Sequence, residues 1–343
     1  MNKTKYCLAA LGAVMAFAWA GPARAAEQPT LGLAAIDLQN SFFVRMKEAG
    51  DAAAHDYNVR ATWQSAEGSL EKQVALIENF INQKVSVILV DPLDKNALLP
   101  VIDKAAQAHI PVITMGNKVN GNGNYNTLYP DYQNMSVVAR ALGTTLGGEG
   151  EVALLVGTRG NFVSDTREKA FVETLGKEFP HIKVVGVQPT LWDSAKATDA
   201  TQTWMTTYPD LKAVGCISGS MCLAASAVAQ GMDRKLLLAG YDGDEEMHPL
   251  LDDGTMVIDV LTGAYRVGYW NIAVAARLAR GETLPHDLYM PTFFVMSPAT
   301  QKALAAKGLT INAIDTATAS RQAKGYSEEL GPSKTAADMT VAQ

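Results

Sequence analysis

The sequence predicts an α/β protein made of two doubly wound parallel-sheet lobes. Three observations carry that prediction. Short, nearly continuous apolar runs alternate with amphipathic segments of helical spacing, as in parallel strands covered by helices on both faces. The alternation breaks at 116–124, a run of Gly, Asn and Lys, and restarts after Pro130-Asp131. A long helical segment at 264–280 and a strand at 289–296 then follow the second unit, which reads as a late return to the first lobe.

Taken in order, 31–36 is an apolar run of strand length, and Phe43, Met46, Lys47 and Gly50 continue it at the three-to-four spacing of a helix. Between them lies Ile36-Asp37-Leu38-Gln39-Asn40-Ser41-Phe42-Phe43, a strand-to-helix turn with free backbone N–H groups that Ser41 is placed to cap. Residues 59–63 read as a strand, 68–83 as a helix, and 85–90 as a β-branched strand stopped by Asp91-Pro92. A helix over 95–109 leads to the strand 110–114. The second unit repeats the pattern: helix 132–146, strand 152–156, helix 163–179, strand 182–188, helix 195–208, strand 213–217, helix 221–230, strand 235–241 and extended stretch 255–261. Trp204, Met205 and Tyr208 form one helix face assigned to packing. From about residue 318 the chain is mostly Ala, Thr, Ser, Lys and Glu with little periodicity, and a partly disordered tail is expected.

The N-terminus differs in kind. Lys3 and Lys5 precede an apolar span over 7–20, followed by Gly21-Pro22 and Ala23-Arg24-Ala25, the pattern of a secretory signal cleaved after about Ala25. The span is too short for a permanent membrane helix. An exported protein is therefore expected. At 343 residues, 48% of them hydrophobic and 19% charged, the chain is long enough for two globular units. Its formal charge is −6, and loss of Lys3, Lys5 and Arg24 takes it to −9, which argues against nucleic acid as a partner. Cys216 and Cys222 stay in the mature chain, and an oxidising compartment lets them pair where geometry allows.

Catalytic and cofactor signatures are missing. The five histidines are scattered without metal-ligand spacing. No Gly-x-Ser-x-Gly elbow, P-loop or dinucleotide fingerprint occurs. No cofactor, no metal and no enzymatic activity are expected. What the strand ends carry instead is a set of polar and aromatic side chains. Asn40, Phe42 and Phe43 follow the first strand; the two rings either stack on the C–H face of a sugar or staple the helix to the core. Arg167 either donates a fork to ligand hydroxyls or pairs with Asp165 or Asp193. Trp192 is a loop aromatic that closes over a ligand or anchors the loop. Ser218 follows a strand, and Asp242 in Gly-Tyr-Asp-Gly-Asp either accepts hydroxyl hydrogen bonds or simply forms the turn.

With these residues assembled, the chain resembles the type I periplasmic sugar-binding proteins, the ribose-binding-like branch that feeds ABC importers. The resemblance spans about 30–314 and rests on Asn40-Ser41-Phe42-Phe43 with Lys47 and Gly50, Asp91-Pro92, Ile110-Pro111-Val112-Ile113, the run from Thr166 to Phe171, Gln188-Pro189 and Gly240-Tyr241-Asp242-Gly243. It implies three crossings, near Pro130-Asp131, Thr262-Gly263 and Pro291-Thr292. The first lobe is then 26–130 plus 263–291, the second 131–262 plus 292–317, with 318–343 as the tail. It also implies that Asn40, Phe42, Phe43, Arg167, Trp192, Ser218, Asp242 and Thr262 face the cleft.

The departures bear on the ligand. Where many relatives have an Asp-Arg pair the chain has Gly116-Asn117, which puts Asn117 in the cleft. Ser218-Gly219 stands where Asn-Asp is frequent, and Thr262 where an Asn or Gln is common. A site that has lost charged and hydrogen-bonding arms is not expected to hold ribose, because groups matched to ribose hydroxyls are missing. The resemblance implies a periplasmic protein that binds a small carbohydrate or polyol by hinge closure and delivers it to an ABC permease in the inner membrane, and a monomer is the simplest form for such shuttling. A sensory protein of the same fold, presenting its ligand state to a membrane receptor kinase, is the alternative. An enzyme acting on sugars would need paired carboxylates such as Asp242 and Asp193 across the cleft.

Overall fold

A computed structural model describes residues 28–342. The signal segment and its cleavage site fall outside the described residues. The first unit runs β1 (Thr30–Ala35), α1 (Ser41–Asp56), β2 (Arg60–Ser65), α2 (Leu70–Asn82), β3 (Val87–Val90), α3 (Leu99–Gln107), β4 (Val112–Met115) and β5 (Tyr125–Leu128). The second runs α4 (Asp131–Thr145), β6 (Glu149–Val156), α5 (Phe162–Glu178), β7 (His181–Pro189), α6 (Ser194–Thr207), β8 (Leu211–Cys216), α7 (Gly219–Gly231), β9 (Leu237–Ala239), α8 (His248–Asp252) and β10 (Met256–Leu261). There follow α9 (Ala264–Ala279), β11 (Asp287–Tyr289), β12 (Phe293–Val295), α10 (Pro298–Ala306), β13 (Ala313–Ile314), α11 (Thr316–Lys324) and α12 (Tyr326–Leu330).

These strands make two sheets. The first is ordered β11-β5-β4-β3-β1-β2 with parallel pairing throughout, and the second β13-β12-β10-β9-β8-β6-β7, in which only β10 and β12 run antiparallel. The chain therefore passes from one lobe to the other between β5 and α4, between β10 and α9, and between β11 and β12. The Val-Ile-Leu-Val of β3 and Val-Ile-Thr-Met of β4 are buried at every position, which is why they read as unbroken apolar runs. Each lobe buries its own core. On the first sheet Phe80, Ile77 and Ile88 pack on one face, and Met46, Trp270 and Ile272 on the other. Phe171, Trp204 and Met205 join the core of the second lobe.

Two expectations are corrected. The single strand expected over 289–296 is two strands in different sheets, because Met290-Pro291-Thr292 carries the chain across and proline supplies no N–H to a ladder. The tail is ordered over 318–342. Helix α11 packs on α9, α8 and β12, α12 packs on α9, and Val341 bridges to Tyr289 beside the edge of the first sheet. Ala319, Ala323, Leu330 and Met339 are buried while Val341 stays exposed, so sparse hydrophobic anchors suffice where a partner surface is already present. Cys216 at the end of β8 and Cys222 in the first turns of α7 form a disulfide, with Cα atoms 5.4 Å apart.

Candidate ligand cleft

The C-terminal ends of both sheets face one another across a cavity of about 680 Å³, within the size range of small-molecule sites. Its first wall is the β1–α1 turn. Asn40, not Ser41, is the N-cap of α1, and its Oδ1 accepts from the Phe42 amide at 2.9 Å. An Asn one residue earlier has the longer reach to that N–H, so the expected Ser41 cap is displaced. The Asn40 amide nitrogen makes no hydrogen bond to the described residues. Phe42 and Phe43 meet edge to face with ring centroids 5.6 Å apart. Both rings line the cavity and also lean on the first lobe's core, so stapling and ligand contact coexist.

Asn117, at the end of β4, spans the cleft. Its Nδ2 donates to Asp91 Oδ1 at 2.7 Å, and its Oδ1 accepts from the Val163 amide of the second lobe at 3.0 Å. Nearby, Asn161 caps α5 and donates to the Pro92 carbonyl at 3.2 Å. Lys95 pairs with Asp165 at 3.0 Å, and on the far side Arg45 pairs with Asp244 at 3.0 Å and with Glu246. The two lobes are thus held in contact by side chains from both rims.

Arg167 is 3% exposed and organises the second wall. Its Nε donates to Asp131 at 2.8 Å and its Nη1 to the Ile217 carbonyl at 2.7 Å, with a longer contact of 3.5 Å to Asp242. The guanidinium lies 3.4 Å from the Tyr241 ring centroid. Burial opposes its charge, but Asp131, Tyr241 and Asp242 together hold its pKa above the ordinary arginine value. Neither partner weighed in the sequence pairs with it: Asp165 faces Lys95, and Asp193 caps α6 by accepting from Lys196 N at 2.8 Å. Asp242 sits at φ +95°, a strained conformation for a residue with a Cβ, and its Oδ2 accepts from Gly219 N at 3.1 Å. Burial raises its pKa, and Arg167 works against the rise.

Trp192 also stands at positive φ, +65°, directly after Leu191 at +59°. Its indole lies against Gly157 so closely that a Cβ there would overlap it. Two consecutive left-handed residues aim the ring into the cavity, and Gly157 leaves it room. Ser218 lines the cavity as N-cap of α7 without a capping bond, its Oγ 3.4 Å from Ser220 Oγ.

Asn40, Phe42, Phe43, Asn117, Arg167, Trp192, Ser218 and Asp242 are thus brought together around one cavity, and Thr262 is not. Thr262 is buried in the β10–α9 crossing with its hydroxyl turned to the Asp242 carbonyl, 3.5 Å away, because the crossing segment runs behind the Asp242 turn. Asp91, Tyr129, Asn161 and Asp244 line the cavity although the sequence reading does not place them in the cleft. Asp91 carried a signal, since it ends a parallel strand, the position where ligands of α/β sheets bind. Asp244 is pushed up to about 7 by burial and by neighbouring Asp242, against the pull of Arg45. The lining holds Asp37, Glu67, Asp91, Asp193, Asp242 and Asp244 against the single cation Arg167, so the cavity is acidic.

Comparison with known proteins agrees with this geometry. The periplasmic binding protein domain family matches residues 31–283. A D-ribose/D-allose-binding protein of Pseudomonas aeruginosa is 26% identical over 274 residues, covering 76% of this chain and 85% of its own. A xylitol-binding protein of Mycolicibacterium smegmatis is 26% identical over 264 residues, covering 75% and 74%. An ABC transporter solute-binding protein from Mycobacterium smegmatis, solved with bound glycerol, superposes with a TM-score of 0.75 at 25% identity, over 84% of this chain and 99% of that one. With a family match over most of its length and two parallel-sheet lobes closing on one cleft, the chain belongs to the periplasmic binding protein domain family and has its type I fold.

Proposed function

We propose that the protein is the periplasmic substrate-binding component of an ABC importer and holds a small sugar or sugar alcohol between its lobes. One observation carries this reading. The cavity offers aromatic faces from both lobes, Phe42 and Phe43 from one and Trp192 from the other, together with the Asn40 amide, the Arg167 guanidinium and carboxylates such as Asp242. Aromatic faces suit the C–H surface of a polyol, and the polar groups suit its hydroxyls. The relatives named for D-ribose, D-allose and xylitol, and the neighbour holding glycerol, lie in the same chemical class.

In this reading the ligand docks on one lobe and gains contacts from the other as the hinge closes, so binding shifts an open–closed equilibrium. Asn40 and Asp242 bond hydroxyls, Arg167 bridges from the second lobe, and the closed form docks on the permease as a monomer. The signal segment delivers the chain to the periplasm. No covalent step takes place.

A thermal-shift screen of the mature protein against D-ribose, D-allose, xylitol, glycerol and myo-inositol tests the reading. A ligand at a hundred times its Kd adds about 2.7 kcal/mol to the folded state, which corresponds to a rise of several degrees in Tm. A rise with at least one polyhydroxy compound, abolished in Asp242→Asn, is the expected result. A rise only with non-sugars would sink the carbohydrate assignment.

A further inference from the structure

Asp91 is a partly buried carboxylate that the protein itself leaves half unsatisfied. Its turn is fixed from beneath by the fully buried Gln73, whose amide donates to the Asp91 carbonyl at 2.7 Å and accepts from Leu93 N at 3.0 Å. The carboxyl is therefore held in one place at the C-terminal end of β3, and it lines the cavity. Oδ1 accepts from Asn117 at 2.7 Å, and Oδ2 accepts nothing from the described residues.

The other acids of the lining are engaged. Asp242 has Arg167 and the Gly219 amide, Asp244 has Arg45, and Glu67 pairs with Lys72. Asp37 accepts from Gln39 N, and Asp193 from Lys196 N. Among these carboxylates Asp91 is the one with neither a cation nor a backbone N–H. Burial pushes its pKa up to about 7 even though the Asn117 bond opposes the shift. An asparagine would keep the bond to Asn117 and escape that penalty. A residue that lowers stability at a cleft, where a neutral isostere fits, fits the pattern of groups kept for binding.

We propose that Asp91 is a specificity-determining residue of the cleft, its Oδ2 accepting a hydrogen bond from a hydroxyl of the bound sugar or polyol. The proposal rests on the reading of the cavity as a polyol site and adds the first-lobe acceptor that fixes the ligand's orientation. A ligand donor at Oδ2 supplies the bond the protein does not make, and a compound without a hydroxyl there leaves the carboxylate buried and unpaired.

Isothermal titration calorimetry at pH 8 with D-ribose, D-allose, xylitol, glycerol and myo-inositol, run on the mature wild type and Asp91→Asn, tests it. Asp91→Asn is expected to weaken the tightest of these compounds at least tenfold and to narrow its preference over the others, while the ligand-free Tm stays level or rises. Affinity within twofold of wild type would overturn the assignment and leave the polyol reading standing. A loss of affinity accompanied by a lower ligand-free Tm, with the order of preference intact, would make Asp91 a structural residue and also overturn it. Wild-type protein that binds none of the five compounds would remove the polyol reading and this assignment together.

Discussion

Burying a carboxyl group without a cation costs folding free energy, and Asp91 makes that cost measurable apart from any ligand. Its pKa near 7 in the folded protein lies above the value of about 3.8 of the free side chain. Between those values the unfolded chain has lost the proton that the folded chain keeps, so this group's contribution declines as pH rises through the window and levels off above about 7. Asp244 titrates in the same window beside Arg45, and burial raises Asp131, Asp242 and Asp259 as well, so a pH profile of the wild type alone mixes these groups. Asp91→Asn separates them. The variant is expected to be more stable than wild type at pH 8 by on the order of 2 kcal/mol, with the gap closing toward pH 4. Denaturant melts at both pH values check this, and equal stability at pH 8 would show that the site solvates its carboxylate. The sequence shows Asp91-Pro92 as a strand stop, which it is, but whether an acid at a strand end is paired depends on Asn117, 26 positions away, that no local pattern links to it. Arg167 was ambiguous for the same reason, since its partners Asp131 and Asp242 come from other elements.

At the level of elements, the wall carrying Asn40, Phe42 and Phe43 is positioned by the packing of α1 on α9. That contact is close because of glycine. A Cβ on Gly268 would fall inside the contact distance of the Met46 carbonyl oxygen, and one on Gly50 would press on Ile272 of α9 and overlap the Trp63 ring of β2. The Met46 obstacle is helix backbone and cannot turn aside. Gly268→Ala is therefore expected to push the helices apart at a cost of about 1–3 kcal/mol, despite alanine's better helix propensity. Lower Tm together with weaker ligand binding, read by thermal shift with and without ligand, is the expected pair of effects; an unchanged Tm would show that α1 slides freely. These helices were legible because one face of each is apolar at helical spacing. Element ends were less so, and the Ser41 cap was misplaced by one residue because both Asn40 and Ser41 satisfy the same rule. The strand over 289–296 was misread because a crossing between two sheets keeps the apolar character of both strands it joins.

In the whole molecule the C-terminal segment adds a fourth link between the lobes beyond the three crossings. It leaves the second sheet at β13, lays α11 and α12 across α9, and ends with Val341 beside Tyr289 of the first sheet. Its point of attachment is Arg266, which has no exposed surface. That guanidinium donates to the Thr262 carbonyl at 3.0 Å and the Pro291 carbonyl at 2.9 Å, in two of the three crossings, and is held by both Glu329 oxygens at 2.8 and 2.5 Å. Tyr326 stacks on Tyr265, and Tyr57 donates to the Leu330 carbonyl at 2.8 Å. None of this was legible, because a polar segment with four anchors has no period of its own and takes its helices from the surface it covers. Glu329→Gln leaves a buried cation without its carboxylate. Breaking such a pair costs 3–5 kcal/mol when both members are deep, and the partial exposure of Glu329 brings the expected loss to about 2 kcal/mol. Truncation after Asp315 removes the same carboxylate together with the buried Leu330 and Met339, so its Tm should fall further than that of the point variant. Because Arg266 ties two crossings, the truncated protein without ligand should also scatter X-rays with a larger radius of gyration than the full chain. A truncated protein that melts and scatters like the full chain would mean that the crossings alone set the hinge and that Arg266 finds other partners once the tail is gone.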